Sequence, residues 1–102
     1  MKRVIVRYKV KPERAAENVE LIQKVFAELQ RDAPAGVRYA TFKLDDGVSF
    51  VHVATIETDD GSNPLFAVSA FKQFSETIKE RCAEPPISMQ AEVVGEYRLL
   101  AT

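Results

Sequence analysis

Tryptophan is absent from this chain, and cysteine and histidine occur once each, as Cys82 and His52. A lone cysteine excludes an internal disulfide, and a lone histidine with no cysteine or carboxylate triplet nearby argues against a zinc centre. Charge of neither sign dominates. The 14 lysines and arginines stand against 15 aspartates and glutamates, a net charge of −1, so nothing electrostatic calls for nucleic acid or an anionic membrane as partner. No apolar run approaches the ~20 residues of a membrane span. The N-terminus starts basic, but charges break its apolar positions, so it reads as a first strand and not as a signal peptide. The acidic pairs Asp45-Asp46 and Asp59-Asp60 each precede a glycine and lack the oxygen spacing of a calcium loop, which makes them turns. The absences together lead us to expect a cytoplasmic protein without metal or cofactor.

What is present is a globular pattern. Of 102 residues, 46% are apolar and 28% charged, which suits one domain, residues 1–102, with a single core. Residues 44–57 organise it: an Asp45-Asp46-Gly47 turn, then a strand apolar on both faces that carries His52. Asp-Gly between β-prone runs is a hairpin signal, and a two-sided apolar strand belongs mid-sheet.

The rest of the chain arranges itself around that strand. Residues 3–10 alternate, Val4, Val6, Tyr8 and Val10 against Arg3, Ile5, Arg7 and Lys9, as a strand with one apolar side does. Pro12 opens a helix whose stripe is Ala15, Val19, Ile22, Phe26 and Leu29, ending near Arg31 or Asp32 before Pro34 and Gly36. Residues 37–44 and 49–57 form the hairpin. Asn63-Pro64 caps a second helix running to about Ala83, with Ala67, Phe71, Phe74, Ile78 and Cys82 on its stripe. Glu84-Pro85-Pro86 stops it, and residues 87–100 supply the last strand. The order βαββαβ with right-handed crossovers gives a ferredoxin-like α+β sandwich: an antiparallel four-stranded sheet with two helices on one face. Ile5, Val94 and Leu100, with the Val51 or the Phe50 set, then leave apolar surface on the other face. That surface suits a two-fold homodimer.

Three groups of residues can carry chemistry. His52 in an apolar setting can act as a general base or bind a haem iron, or simply bond to a neighbour in the strand. Tyr8, Tyr39 and Tyr97 lie on three strands, where a phenol can orient a substrate carbonyl or pack with its hydroxyl on a partner. Phe26, Phe50, Ile56, Phe66, Phe71 and Phe74, with Asn63 at the loop, can line a pocket for a flat apolar ligand or form plain core. Arg38, Arg81 and Arg98 can clamp an anion or lie solvated.

Val6-Arg7-Tyr8-Lys9-Val10-Lys11-Pro12 entering a helix, the apolar run from Phe50 to Ile56 ending in Glu57-Thr58, and Leu65-Phe66-Ala67-Val68-Ser69-Ala70-Phe71 followed by Phe74 complete a familiar pattern. In order and spacing the chain resembles the antibiotic biosynthesis monooxygenase (ABM) domain of the dimeric α+β barrel superfamily over nearly its whole length. The resemblance implies a homodimeric barrel with an apolar pocket between sheet and helices in each subunit. Some members oxidise polycyclic aromatics with molecular oxygen and no cofactor; others degrade haem, or isomerise quinones or lactones. Members often carry tryptophan where this chain has Ile56 and histidine where it has Phe71. The resemblance implies binding of a small apolar or aromatic molecule and cofactor-independent oxygenase or isomerase chemistry, for which this chain's own residues offer His52, Tyr39 and Tyr97 as polar groups. A non-catalytic dimerisation or ligand-binding module and a haem-binding protein are the other two readings.

Overall fold

The computed structural model describes residues 1–99. Its elements are β1 (Lys2–Val10), α1 (Ala15–Asp32), β2 (Val37–Lys43), β3 (Ser49–Ile56), α2 (Ser69–Arg81) and β4 (Cys82–Ala91), with short 3-10 turns at Pro12–Arg14 and Pro64–Ala67. All neighbouring strands pair antiparallel in the order β2-β3-β1-β4, so β3 and β1 are central. This is the ferredoxin-like α+β arrangement that the element order predicts. Among the described residues, no helix is long and apolar enough to cross a membrane.

Alternation decides which side chains meet the helices. Tyr8 lies opposite Phe50, and Val6 lies between His52 on β3 and Ser88 on β4. Tyr8, Val10 and Phe50 pack with Val25 of α1 and Phe74 and Ile78 of α2 into the main buried cluster. Each such side chain contributes about 1.5–3 kcal/mol by leaving water. A smaller cluster of Ala54, Ile56 and Leu65 closes the other end. His52 therefore sits on the helix-covered side, 5% exposed.

The hairpin forms as predicted. Gly47 takes a φ of 78°, and the Asp46 carboxylate accepts from the Val48 and Ser49 amides at 2.9 and 2.8 Å. The Ser49 hydroxyl donates to it as well, and that bond, with the two amides, holds its carboxyl down at about 2. Gly36, at a φ of 87°, follows α1, and its carbonyl accepts the Glu57 amide at 2.8 Å. A Cβ there would meet the Thr58 methyl at 2.7 Å.

Two boundaries differ from the sequence expectation. The helix expected from Pro64 to Ala83 breaks at Val68, whose φ of −85° and ψ of 117° are extended. The break is held by Glu28 of α1, which takes the Ser69 and Ala70 amides at 3.0 Å each and the Ser69 hydroxyl at 2.8 Å. The last strand, expected over residues 87–100, instead begins at Cys82 directly after α2 and ends at Ala91. Prolines are tolerated there because β4 is an edge strand, and its register against β1 slips between Arg7 and Lys9, where Pro85 and Pro86 fall. Val93, Val94, Tyr97 and Leu99 consequently lie outside the sheet and exposed, and Leu100 lies outside the described residues.

The slip also changes the uncovered face. Val94 is not part of it; Met89 and Ile87 are. Ala40, Val53, Ile5 and Met89 align across all four strands, next to a second row of Phe42, Val51, Arg7 and Ile87.

Candidate functional site

Between the sheet and α2 lies a cavity of about 1010 Å³, at the upper end of the ~300–1,000 Å³ usual for small-molecule sites. Val4 and Val6 of β1, Ala54 and Ile56 of β3, and Phe71, Phe74 and Ile78 of α2 give it apolar walls. Its polar groups are few: Tyr8, Tyr39 and His52 on the sheet, and serines 62, 75 and 88. The charged residues lining it are Lys2 and Lys72; no carboxylate does so among the described residues. Asn63 lies at the edge, where its side chain accepts the Leu65 amide at 3.0 Å and caps the turn that carries Phe66.

The sheet floor holds a continuous hydrogen-bonded chain. Nε2 of His52 is 2.7 Å from the Tyr8 hydroxyl, and Nδ1 is 2.5 Å from that of Tyr39 and 3.1 Å from Thr41 Oγ1. Behind Tyr8, Asn18 Nδ2 donates to the phenol at 2.9 Å, and Arg81 Nε donates to Asn18 Oδ1 at 2.9 Å. The Arg81 guanidinium also donates to Thr77 Oγ1 and to the Phe74 carbonyl, and lies 5.0 Å above the Phe74 ring. It is fully buried, and none of these partners is a carboxylate.

Burial sets the protonation of this chain. It pushes the His52 imidazole down to about 4 and the Tyr39 phenol up to about 12, raises Tyr8 further still, and lowers Arg81. At neutral pH the floor is thus a neutral imidazole between two neutral phenols, with one cation at the far end. Such a set can donate or accept a hydrogen bond at a ligand oxygen without placing a charge in the cavity.

Of the residues expected from sequence, His52, Tyr39, Ile56, Asn63, Phe66, Phe71 and Phe74 are brought together around the cavity. Three are not. Phe50 is sealed in the core, stacked on Tyr8 at 5.5 Å between ring centroids. Phe26 stacks on Tyr39 at 5.2 Å and lines a separate cleft of about 270 Å³ behind it. Tyr97 is 82% exposed beyond the end of β4, because that strand stops six residues short of it. Asn18 enters unannounced as a buried support, and Arg81, expected to clamp an anion or lie solvated, is instead buried behind it. Their signal was positional: Asn18 continues the Ile22, Val25, Leu29 stripe backwards, and Arg81 follows Phe74 and Ile78 on theirs. Among the described residues, no group of histidine, cysteine and carboxylates is placed to hold a metal ion.

No family model matches the chain, and no curated protein matches it in sequence. Solved structures do. A crystal structure named as an antibiotic biosynthesis monooxygenase superposes with a TM-score of 0.74 at 19% identity, covering 93% of this chain and 100% of its own. A Nitrosomonas europaea protein whose name assigns it the same activity provisionally gives 0.73 at 17%, covering 91% and 89%. A Caulobacter crescentus protein named in the same provisional way gives 0.70 at 21%, covering 92% and 90%. The fold of this chain is the ABM fold.

Proposed function

We propose that the chain is a cytoplasmic, ABM-like homodimer that binds a small, mainly apolar or aromatic molecule between its sheet and helices. The observation that carries this reading is the large apolar cavity with its short polar floor at Tyr39 and His52. Hydrogen-bond donation and acceptance at a ligand oxygen are what those groups offer. Isomerisation and cofactor-independent oxygenation both need that, and solved structures of the same fold carry the monooxygenase name. Haem ligation by His52 fits less well, since both ring nitrogens already have protein partners and one bond must break to free a lone pair for iron. A non-catalytic binding module is the second reading. It is favoured by how fully His52 is engaged, which leaves the imidazole no free nitrogen to act as base on a ligand.

A thermal-shift screen with quinones, polyphenols, flavin and haem tests the proposal. A cavity ligand at 100 times its Kd stabilises the fold by about 2.7 kcal/mol; no shift with any of them sinks the pocket function. Turnover of a binder that is lost in His52→Gln supports catalysis, and binding without turnover supports the module.

A further inference from the structure

The chain of hydrogen bonds under the cavity has a direction. A guanidinium can only donate, and Arg81 gives its Nε–H to Oδ1 of Asn18. That orients the amide, so Nδ2 faces the Tyr8 hydroxyl and donates to it. Tyr8 must place its own proton elsewhere, and among the described residues the acceptor within reach is Nε2 of His52 at 2.7 Å. A neutral imidazole accepting at Nε2 carries its proton on Nδ1. Nδ1–H then donates to the Tyr39 oxygen, 2.5 Å away, with Thr41 Oγ1 at 3.1 Å. Tyr39 therefore receives along the chain, and its own proton can turn to the cavity its phenol lines, with the neighbouring Thr41 hydroxyl as the competing protein partner. The opposite order fails at one atom. With the proton on Nε2, Tyr8 would accept twice and its hydrogen would have no protein acceptor, on a phenol only 3% exposed and so less open to the cavity than Tyr39.

We infer that Tyr39 is the hydrogen-bond donor of the cavity, held in that role by Arg81 through Asn18, Tyr8 and His52, and that the cavity selects flat apolar ligands bearing an acceptor oxygen, a ketone-type carbonyl first. This rests on the cavity reading above. Successive donors polarise one another, which strengthens the last one. The lining adds Lys2 and Lys72 and no carboxylate, so negative charge building on the ligand oxygen meets no repulsion. Arg81, Asn18 and Tyr8 are positioning residues; Tyr39 touches the ligand.

The direction is measurable without a ligand, because the chain has one histidine. Nitrogen-15 NMR of the imidazole is expected to find the proton on Nδ1; a proton on Nε2 overturns the inference. Asn18→Asp keeps the side-chain size and the Arg81 partner but replaces the donor with an acceptor. Tyr8 then donates to position 18, His52 moves its proton to Nε2, and Nδ1 takes the Tyr39 proton. A purely packing role for Asn18 would leave the tautomer where it was, and that result removes the positioning role. The ligand arm compares 9-fluorenone with fluorene, which share a skeleton and differ in the carbonyl. Fluorenone is expected to bind about tenfold more tightly, and Tyr39→Phe and Asn18→Asp each abolish the preference while leaving fluorene within about twofold. Equal affinities in the native chain overturn the selection. If neither molecule binds, the cavity reading falls and takes the ligand class with it, while the tautomer still tests the direction separately.

Discussion

His52 is the one histidine of the chain, which makes its burial readable as stability in the mildly acidic range. Its folded value of about 4 lies below the ordinary 6.5. Above pH 6.5 the imidazole is neutral in both states and costs nothing. As pH falls from 6.5 towards 4 the unfolded chain takes the proton and the folded one does not, so stability is lost across that window. Between pH 7 and 5 the loss is about 2 kcal/mol, and urea titrations should show it. His52→Gln has no such slope, whatever its absolute stability; an equal slope in the variant would mean that His52 is not the buried titrating group. At this scale the strand alternation grouped Phe50, His52, Ala54 and Ile56 on one side of β3 but left open which face of the sheet that side was. It could not tell that Asn18 and Arg81 are buried. Periodicity assigns faces by apolar content, and a polar residue continuing an apolar stripe looks like the stripe's end until its partner across the interior is known.

Between elements, the carboxylate of Glu28 does what no residue of α2 does for itself. The first amides of a helix need acceptors, Val68 supplies no side-chain cap, and Glu28 reaches across from α1 to fill the place. The bonds from Ala70 and Ser69 hold its carboxyl below the usual glutamate range. That stabilisation is present above the unfolded-state value near 4.5 and is lost as pH falls through the lower folded value. Glu28→Gln is expected to lower Tm at pH 7, to show a smaller Tm deficit in acid, and to raise amide exchange in the first turn of α2 more than in α1. Unchanged exchange there would remove the cross-helix cap. Nothing local in the sequence marks Glu28 as a cap, because such a cap joins residues 41 and 42 positions apart. The helix after Asn63-Pro64 was legible, but not its break, since Leu65, Phe66 and Val68 are apolar in any helical phase. The start of β4 was hidden by Pro85-Pro86, which punctuate a chain in isolation yet sit without conflict on a sheet edge.

For the whole molecule, the element order and the two-sided third strand were enough to obtain the sheet, because few topologies place such a strand centrally. The uncovered face follows from the same topology. Ile5, Val53 and Met89 lie in one row across it, with Met89 67% and Ile87 53% exposed. If the proposed dimer forms through this face, Ile5→Glu, at its centre, should convert it to monomer in sedimentation measurements while the far-UV spectrum stays native. A native chain that sediments as a monomer at tens of micromolar would overturn homodimerisation through this face.

The prolines at 85 and 86 have one more consequence. A strand at the rim of a sheet is a template on which another chain can lay its own backbone, rung by rung, without end. Here the rim strand offers no amide hydrogens at two successive positions, and its ladder is already interrupted beside them. Growth along that rim is hindered at the prolines, while the other rim, β2, carries none. Replacing both prolines by valine should bring thioflavin-binding aggregates under mild heating, where the native chain stays clear.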